Sequence, residues 1–161
     1  MPTTSSMAAS KRHSIWGTLL FIAYLLLLFY FLFLSEGMGR AGANEYRYNV
    51  TLLKEISRYW NYLLADTSDF FRVKLFTLNV IGNIVAFVPF GFFLPMFRKK
   101  KSFWTIIWVT IFGFLFSLAV ELIQLLLKVG SFDVDDMLLN TIGAFVGVCI
   151  YMIIYLIRRK K

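Results

Sequence analysis

Apolar positions fall into four long runs, Ile15–Leu34, Leu75–Phe97, Phe103–Leu127 and Met137–Ile157. Crossing a hydrocarbon core of about 30 Å as helix takes about 20 residues, and each run is long enough. The pattern predicts four transmembrane helices. Its interruptions matter as much as the runs. Glu121 and Gln124 stand inside the third, Asn79 and Asn83 open the second, and Asn140 follows Asp136 near the start of the fourth. Polar groups in hydrocarbon are costly, so such side chains face protein or water and mark candidate sites.

The longest connection, 35–74, opens on Gly37, Gly39 and Gly42, a flexible composition. Beyond it Val50, Leu53, Ile56, Trp60 and Leu63 or Leu64 recur at helical spacing among Lys54, Glu55, Ser57, Arg58 and Asn61. Tyr59, Trp60 and Tyr62 suit a water–lipid boundary. The expected fold is an all-α membrane protein with four transmembrane helices plus a short outer interfacial helix. The expected division is a cytoplasmic tail at 1–14, disordered over Met1–Ser10, a membrane domain at 15–157 that includes the outer segment 35–74, and a basic tail at 158–161. The first run exceeds a signal-peptide core and reads as a retained helix.

Composition agrees: 59% of residues are hydrophobic and only 16% charged, which excludes an ordinary soluble domain. The net charge of +8 does not indicate nucleic acid, because the basic residues cluster beside helix ends at Lys11–Arg12, Arg98–Lys101 and Arg158–Lys161. With four crossings these clusters share one side, which the positive-inside bias assigns to the cytoplasm together with both termini. They also suit anionic lipid. The single Cys149 implies no disulfide framework.

Within the runs, spacing predicts which side chains meet. Asn79 and Asn83 share a helix face, as do Glu121 and Gln124, and Asp136 and Asn140. Ser131 or Asp133 suits the amino-terminal cap of the last helix. Gly143 and Gly147 form a Gly-xxx-Gly pair, and Gly82, Gly91 and Gly113 offer further close approaches. Pro89 predicts a kink or local opening, and the Ser117 hydroxyl is expected to bond its own backbone. Up-and-down threading returns the polar residues to the outer level. The candidate ligand contacts are Arg47, Asn49, Asn79, Asn83, Gln124, Asp133 and Asn140. The candidate acid–base pair is Glu121 and Asp136. Asp133, Asp135, Asp136 and Glu121 offer hard oxygen atoms, but their spacing is not that of an EF-hand. No metal or cofactor is assigned.

Three blocks carry a family resemblance. Asn79-Val-Ile-Gly-Asn-Ile-Val-Ala-Phe-Val-Pro-Phe-Gly, Glu121-Leu-Ile-Gln124 and Ser131-Phe-Asp-Val-Asp-Asp-Met-Leu-Leu-Asn-Thr-Ile-Gly stand in the order and spacing of the VanZ-like family. Arg47-Tyr-Asn-Val-Thr-Leu-Leu resembles a fourth, with Leu52 and Leu53 at the usual Pro-Phe positions, and Gly130 stands where many relatives have arginine. The resemblance implies a bacterial cytoplasmic-membrane protein; some relatives are associated with resistance to glycopeptides, especially teicoplanin. The leading expectation is binding or modulation of an amphiphilic component of the cell envelope: a membrane lipid or a lipid-linked precursor. The alternatives are a membrane-embedded acid–base enzyme acting on a lipid-linked precursor, a small transporter, and a structural membrane protein. Homo-oligomerisation is left open.

Overall fold

The protein is described by a computed structural model covering residues 4–34 and 46–159, with side chains described from residue 15 onward. The glycine-rich stretch Gly37–Gly42 and the last two lysines lie outside the described residues, as do the side chains of Lys11, Arg12 and His13. Four helical segments are long and apolar enough to cross a membrane: Ile15–Leu34, Phe70–Phe97, Phe103–Leu127 and Val134–Arg159. The chain is an all-α, multi-pass membrane protein.

Helix α1 (Thr4–Phe29) ends in a π-helical stretch, Tyr30–Leu34. It begins within the segment expected to be disordered, so the apolar run propagates its helix toward the amino terminus. A short strand β1 (Arg47–Asn49) follows, then α2 (Lys54–Ala65), the expected surface helix. The second crossing is composite: α3 (Phe70–Phe76), a π-helical stretch Thr77–Ile81, α4 (Gly82–Phe93) and a 3-10 turn Leu94–Phe97. It starts before the apolar run because Asp69 caps it, accepting the Phe71 N–H at 2.8 Å. Arg72 bonds the Asp69 carboxylate and the Tyr62 carbonyl, tying this start to the end of α2. Helix α4 continues as helix through Pro89, and the departures from α-geometry in this crossing lie at Thr77–Ile81 and Leu94–Phe97. Helix α5 (Phe103–Leu127) and α6 (Val134–Arg159) complete the bundle, with strand β2 (Ser131–Asp133) just before α6.

Helix α6 belongs to the most buried crossing, and the first crossing is the most open to its surroundings. Helices α4 and α6 run parallel in close contact. A Cβ on Gly143 would stand 2.1 Å from the Ile84 carbonyl oxygen, and one on Gly147 would stand 2.0 Å from that of Val88. Gly91 meets the Ala144 backbone just as closely. Without side chains at these positions the two backbones touch, which suits packing in lipid, where apolar burial supplies no drive. Gly82 makes no such approach; its nearest neighbour is the Thr77 carbonyl at 3.5 Å. Phe21 packs among Phe90, Phe93 and Phe97, and the Tyr24 hydroxyl donates to the Ala86 carbonyl at 2.7 Å, holding the first crossing on the second.

One feature is not helical. Strands β1 and β2 pair in parallel, with Arg47 opposite Ser131, Tyr48 opposite Phe132 and Asn49 opposite Asp133. Each is only three residues long. Backbone groups at the bundle end need partners, and this pairing supplies them while aligning the polar residues of both turns.

Candidate functional site

Every side chain proposed from sequence reaches one place. Arg47, Asn49, Asn79, Asn83, Glu121, Gln124, Asp133, Asp136 and Asn140 line a cavity of about 370 Å³ at the bundle end opposite the Arg98–Lys101 turn. The strand pair presents Arg47, Asn49 and Asp133, and the second crossing presents Asn79 and Asn83. Glu121 and Gln124 come from the last turns of α5, and Asp136 and Asn140 from the first turns of α6. Helix α2 adds Lys54, Glu55, Arg58 and Tyr59, which spacing alone did not nominate. Glu55 and Arg58 form an ion pair one turn apart.

Hydrogen bonds knit these residues across segments. Asn49 Nδ2 donates to Asp133 Oδ1 at 3.0 Å, the side-chain counterpart of their pairing in the strands. The Asp133 N–H donates to Glu121 Oε2 at 2.9 Å, fixing the turn between α5 and α6. Asp133 Oδ1 accepts the Asp135 N–H at 2.8 Å, so Asp133, of the two expected candidates, caps α6. Asn83 Nδ2 donates to Asp136 Oδ1 at 2.6 Å and to the Asn79 carbonyl at 3.0 Å. Asn79 in turn bonds the Leu75 carbonyl at 2.8 Å. These two amides therefore serve the composite helix while bordering the cavity. Gln124 Nε2 donates to the Leu32 carbonyl at 2.8 Å, anchoring the end of the first crossing.

Asn140 is 2% exposed, and its Nδ2 donates to Ser117 Oγ at 2.9 Å. The Ser117 hydroxyl, expected to bond its own backbone, is thus engaged across the helix interface. Asn140 Oδ1 is the one buried side-chain polar atom among the described residues with no hydrogen-bond partner. A buried acceptor of this kind forgoes about 1–3 kcal/mol until something donates to it. Burial pushes the Asp133 carboxyl above the ordinary carboxylate range, against the opposing pull of the Asp135 N–H and the Asn49 amide.

Sequence spacing left Asp135 without a part in the ligand set, and the structure gives it a distinct one. Its carboxylate is 1% exposed and turns toward α2. It accepts the N–H groups of Leu53 at 2.5 Å, Glu55 at 2.7 Å and Ile56 at 3.2 Å. Leu53 offers no capping oxygen of its own and has φ of 64°, in the left-handed region. The acceptor that helix α2 lacks locally comes from the first turn of α6. Among the described residues, no three His, Cys, Asp or Glu side chains converge as a metal-binding group.

What the arrangement can do follows from its zones. The deep part is rich in carboxylates and amides, able to accept and orient hydroxyl, amide or amino groups. The rim carries Arg47, Lys54 and Arg58, donors suited to an anionic group. Leu32 and Leu78 add apolar wall.

Protein VanZ of Enterococcus faecium is 33% identical to this chain over 75 residues, covering 45% of this chain and 44% of that protein. The match thus spans less than half the length of that relative. No solved structure matches. The VanZ/LLP1 family model matches residues 21–155, from within the first crossing to near the end of the last, and the chain belongs to that family.

Proposed function

We propose that this protein holds the polar head of an amphiphilic, lipid-linked envelope component in the cavity beneath α2, at the outer face of the bacterial cytoplasmic membrane. The observation that carries this reading is the convergence of polar side chains from five separate segments on one cavity of about 370 Å³. Residues that only glue helices together need no void between them. Here the void has a polar lining, and Asn140, whose buried amide oxygen has no hydrogen-bond partner, stands in its wall. Arg47 and Arg58 at the rim suit a phosphate or carboxylate, which guanidinium groups bind through paired hydrogen bonds. Asn49, Asp136 and Asn140 suit sugar hydroxyls or amides.

The sidedness rests on charge. Arg98–Lys101 and Arg158–Arg159 lie at the opposite end, and basic turns stay in the cytoplasm. A protein that shields or alters an envelope component at this position would lower its availability to a glycopeptide, in line with the association of some relatives with teicoplanin resistance. A photoreactive phenylalanine analogue at Tyr59, on the rim, tests the reading. Irradiation of intact cells is expected to capture a discrete lipid-linked species at Tyr59 and not at Trp108 in the other half of the bundle. Capture of the same bulk phospholipid at both positions would overturn it.

A second reading is favoured by one observation: Glu121 and Asp136 border the same cavity from adjacent helices. Two carboxyl groups at one bound head would suit an acid–base enzyme acting on a lipid-linked precursor. Loss of turnover in both Glu121→Gln and Asp136→Asn, with ligand capture at Tyr59 retained, would select this reading.

A further inference from the structure

A second depression, of about 340 Å³, lies toward the opposite end of the bundle, where the 3-10 turn meets α5. Leu94, Phe97, Trp108, Val109 and Phe112 line it, and Arg98 is its only charged wall. Phe97, Trp108 and Phe112 are each more than half exposed, so the depression opens sideways, toward whatever surrounds the bundle. In a membrane the surrounding medium there is acyl chain.

The charge around it is one-sided. No Asp or Glu occurs between Phe87 and Val120 or between Met137 and Lys161, while Arg98, Lys99, Lys100 and Lys101 form the adjoining turn. Lys101 Nζ is turned back onto the Arg98 carbonyl, and Lys99 and Lys100 point into the open. Arg98 is partly buried against the groove, and no carboxylate pairs with it among the described residues. A guanidinium at the mouth of an apolar slot matches a phosphate joined to an acyl chain. Exposed Phe103 and Trp104 flank the turn, residue types that settle at headgroup level.

We propose that this groove is a binding site for one anionic phospholipid, its chain lying along Leu94, Trp108 and Phe112 and its phosphate on Arg98. The site is separate from the polar cavity, and its occupancy does not depend on what that cavity holds. It would anchor the turn between the second and third crossings at a fixed depth.

The test uses full-length protein in which Trp16, Trp60 and Trp104 are replaced by Phe, leaving Trp108 as the sole indole. It is reconstituted in phosphatidylcholine vesicles doped with chain-brominated lipid, whose bromine quenches a touching indole. Brominated phosphatidylglycerol is expected to quench Trp108 with an apparent affinity about fivefold above brominated phosphatidylcholine, roughly the factor one basic residue contributes near an anionic surface. Arg98→Gln is expected to abolish that preference and Arg98→Lys to retain most of it. Lys99→Gln/Lys100→Gln is expected to leave it. Equal quenching by the two lipids in the Arg98 protein, or equal loss in the Arg98→Gln and Lys99→Gln/Lys100→Gln proteins, would overturn the proposal. The second result would reduce the effect to diffuse charge.

Discussion

The carboxylate of Asp135 accepts the backbone N–H of Leu53 at 2.5 Å across 82 residues of chain. Two more N–H groups, of Glu55 and Ile56, converge on the same side chain. The roof of the cavity is therefore latched to the first turn of its most buried helix. The covering of the cavity and the packing of α6 are mechanically joined at this point.

That latch gives the first expectation. Asp135→Ala leaves three N–H groups without their acceptor and is expected to cost about 3 kcal/mol of local stability at the start of α2. Amide exchange at Leu53, Glu55 and Ile56 should speed up roughly a hundredfold, since each 1.4 kcal/mol is a factor of ten. Asp135→Asn, which keeps one acceptor oxygen, should fall between. Unchanged exchange in Asp135→Ala would remove the latch from the account.

The parallel contact of α4 and α6 gives the second. Gly147→Ala forces a methyl group against the Val88 carbonyl and should destabilise the folded protein by about 1–3 kcal/mol, the usual penalty of overpacking. Gly82→Ala meets nothing closer than 3.5 Å and should be neutral or slightly stabilising, because alanine favours helix. Thermal unfolding in detergent, run side by side, separates the two.

Four crossings were legible because long apolar runs leave a membrane chain few alternatives to helix. The candidate site was legible for a related reason. Asn79, Asn83, Glu121, Gln124, Asp136 and Asn140 are polar where hydrocarbon demands apolar groups, and their spacing put pairs on shared faces. What escaped was set by contacts between distant segments. Asp133, Asp135 and Asp136 stand within four consecutive positions; spacing offered Asp133 as a cap for α6, but nothing in the order says that Asp135 caps α2 and Asp136 meets Asn83. The strand pair, three residues on each side, carries no alternating pattern long enough to read. The second crossing begins at Phe70 although Arg72 and Lys74 interrupt its apolar run, because Asp69 and Tyr62 supply partners for Arg72.

Acidity at the cavity gives the third expectation. The folded state holds the Asp133 proton more tightly than the unfolded chain does, because burial raises this carboxyl. Above the unfolded value the folded protein binds more protons, so the contribution of Asp133 to stability is present at low pH and is lost as pH rises toward the folded value. Asp66, held low chiefly by the Ser68 hydroxyl, acts with the opposite sign and in a lower window. Asp133→Asn keeps an oxygen for the Asn49 and Asp135 donors and should remove the decline above about pH 4. A variant whose pH profile follows the wild type there would contradict the assignment.

Asn140 separates ligand binding from bundle glue. Asn140→Leu together with Ser117→Ala removes both partners of a buried hydrogen bond, a change that is close to neutral for folding. Stability within about 1 kcal/mol of wild type, with weaker capture of ligand at Tyr59, is the expected result. Unimpaired capture would take Asn140 out of the site.

The most direct measurement is native mass spectrometry of protein gently extracted from its own membrane, comparing wild type with a folded Glu121→Gln/Asp136→Asn variant. The account expects a discrete lipid-linked adduct on the wild type that is lost or much reduced in the variant. Identical spectra from both, with the cavity unoccupied or only bulk phospholipid carried, would contradict a ligand held among these side chains.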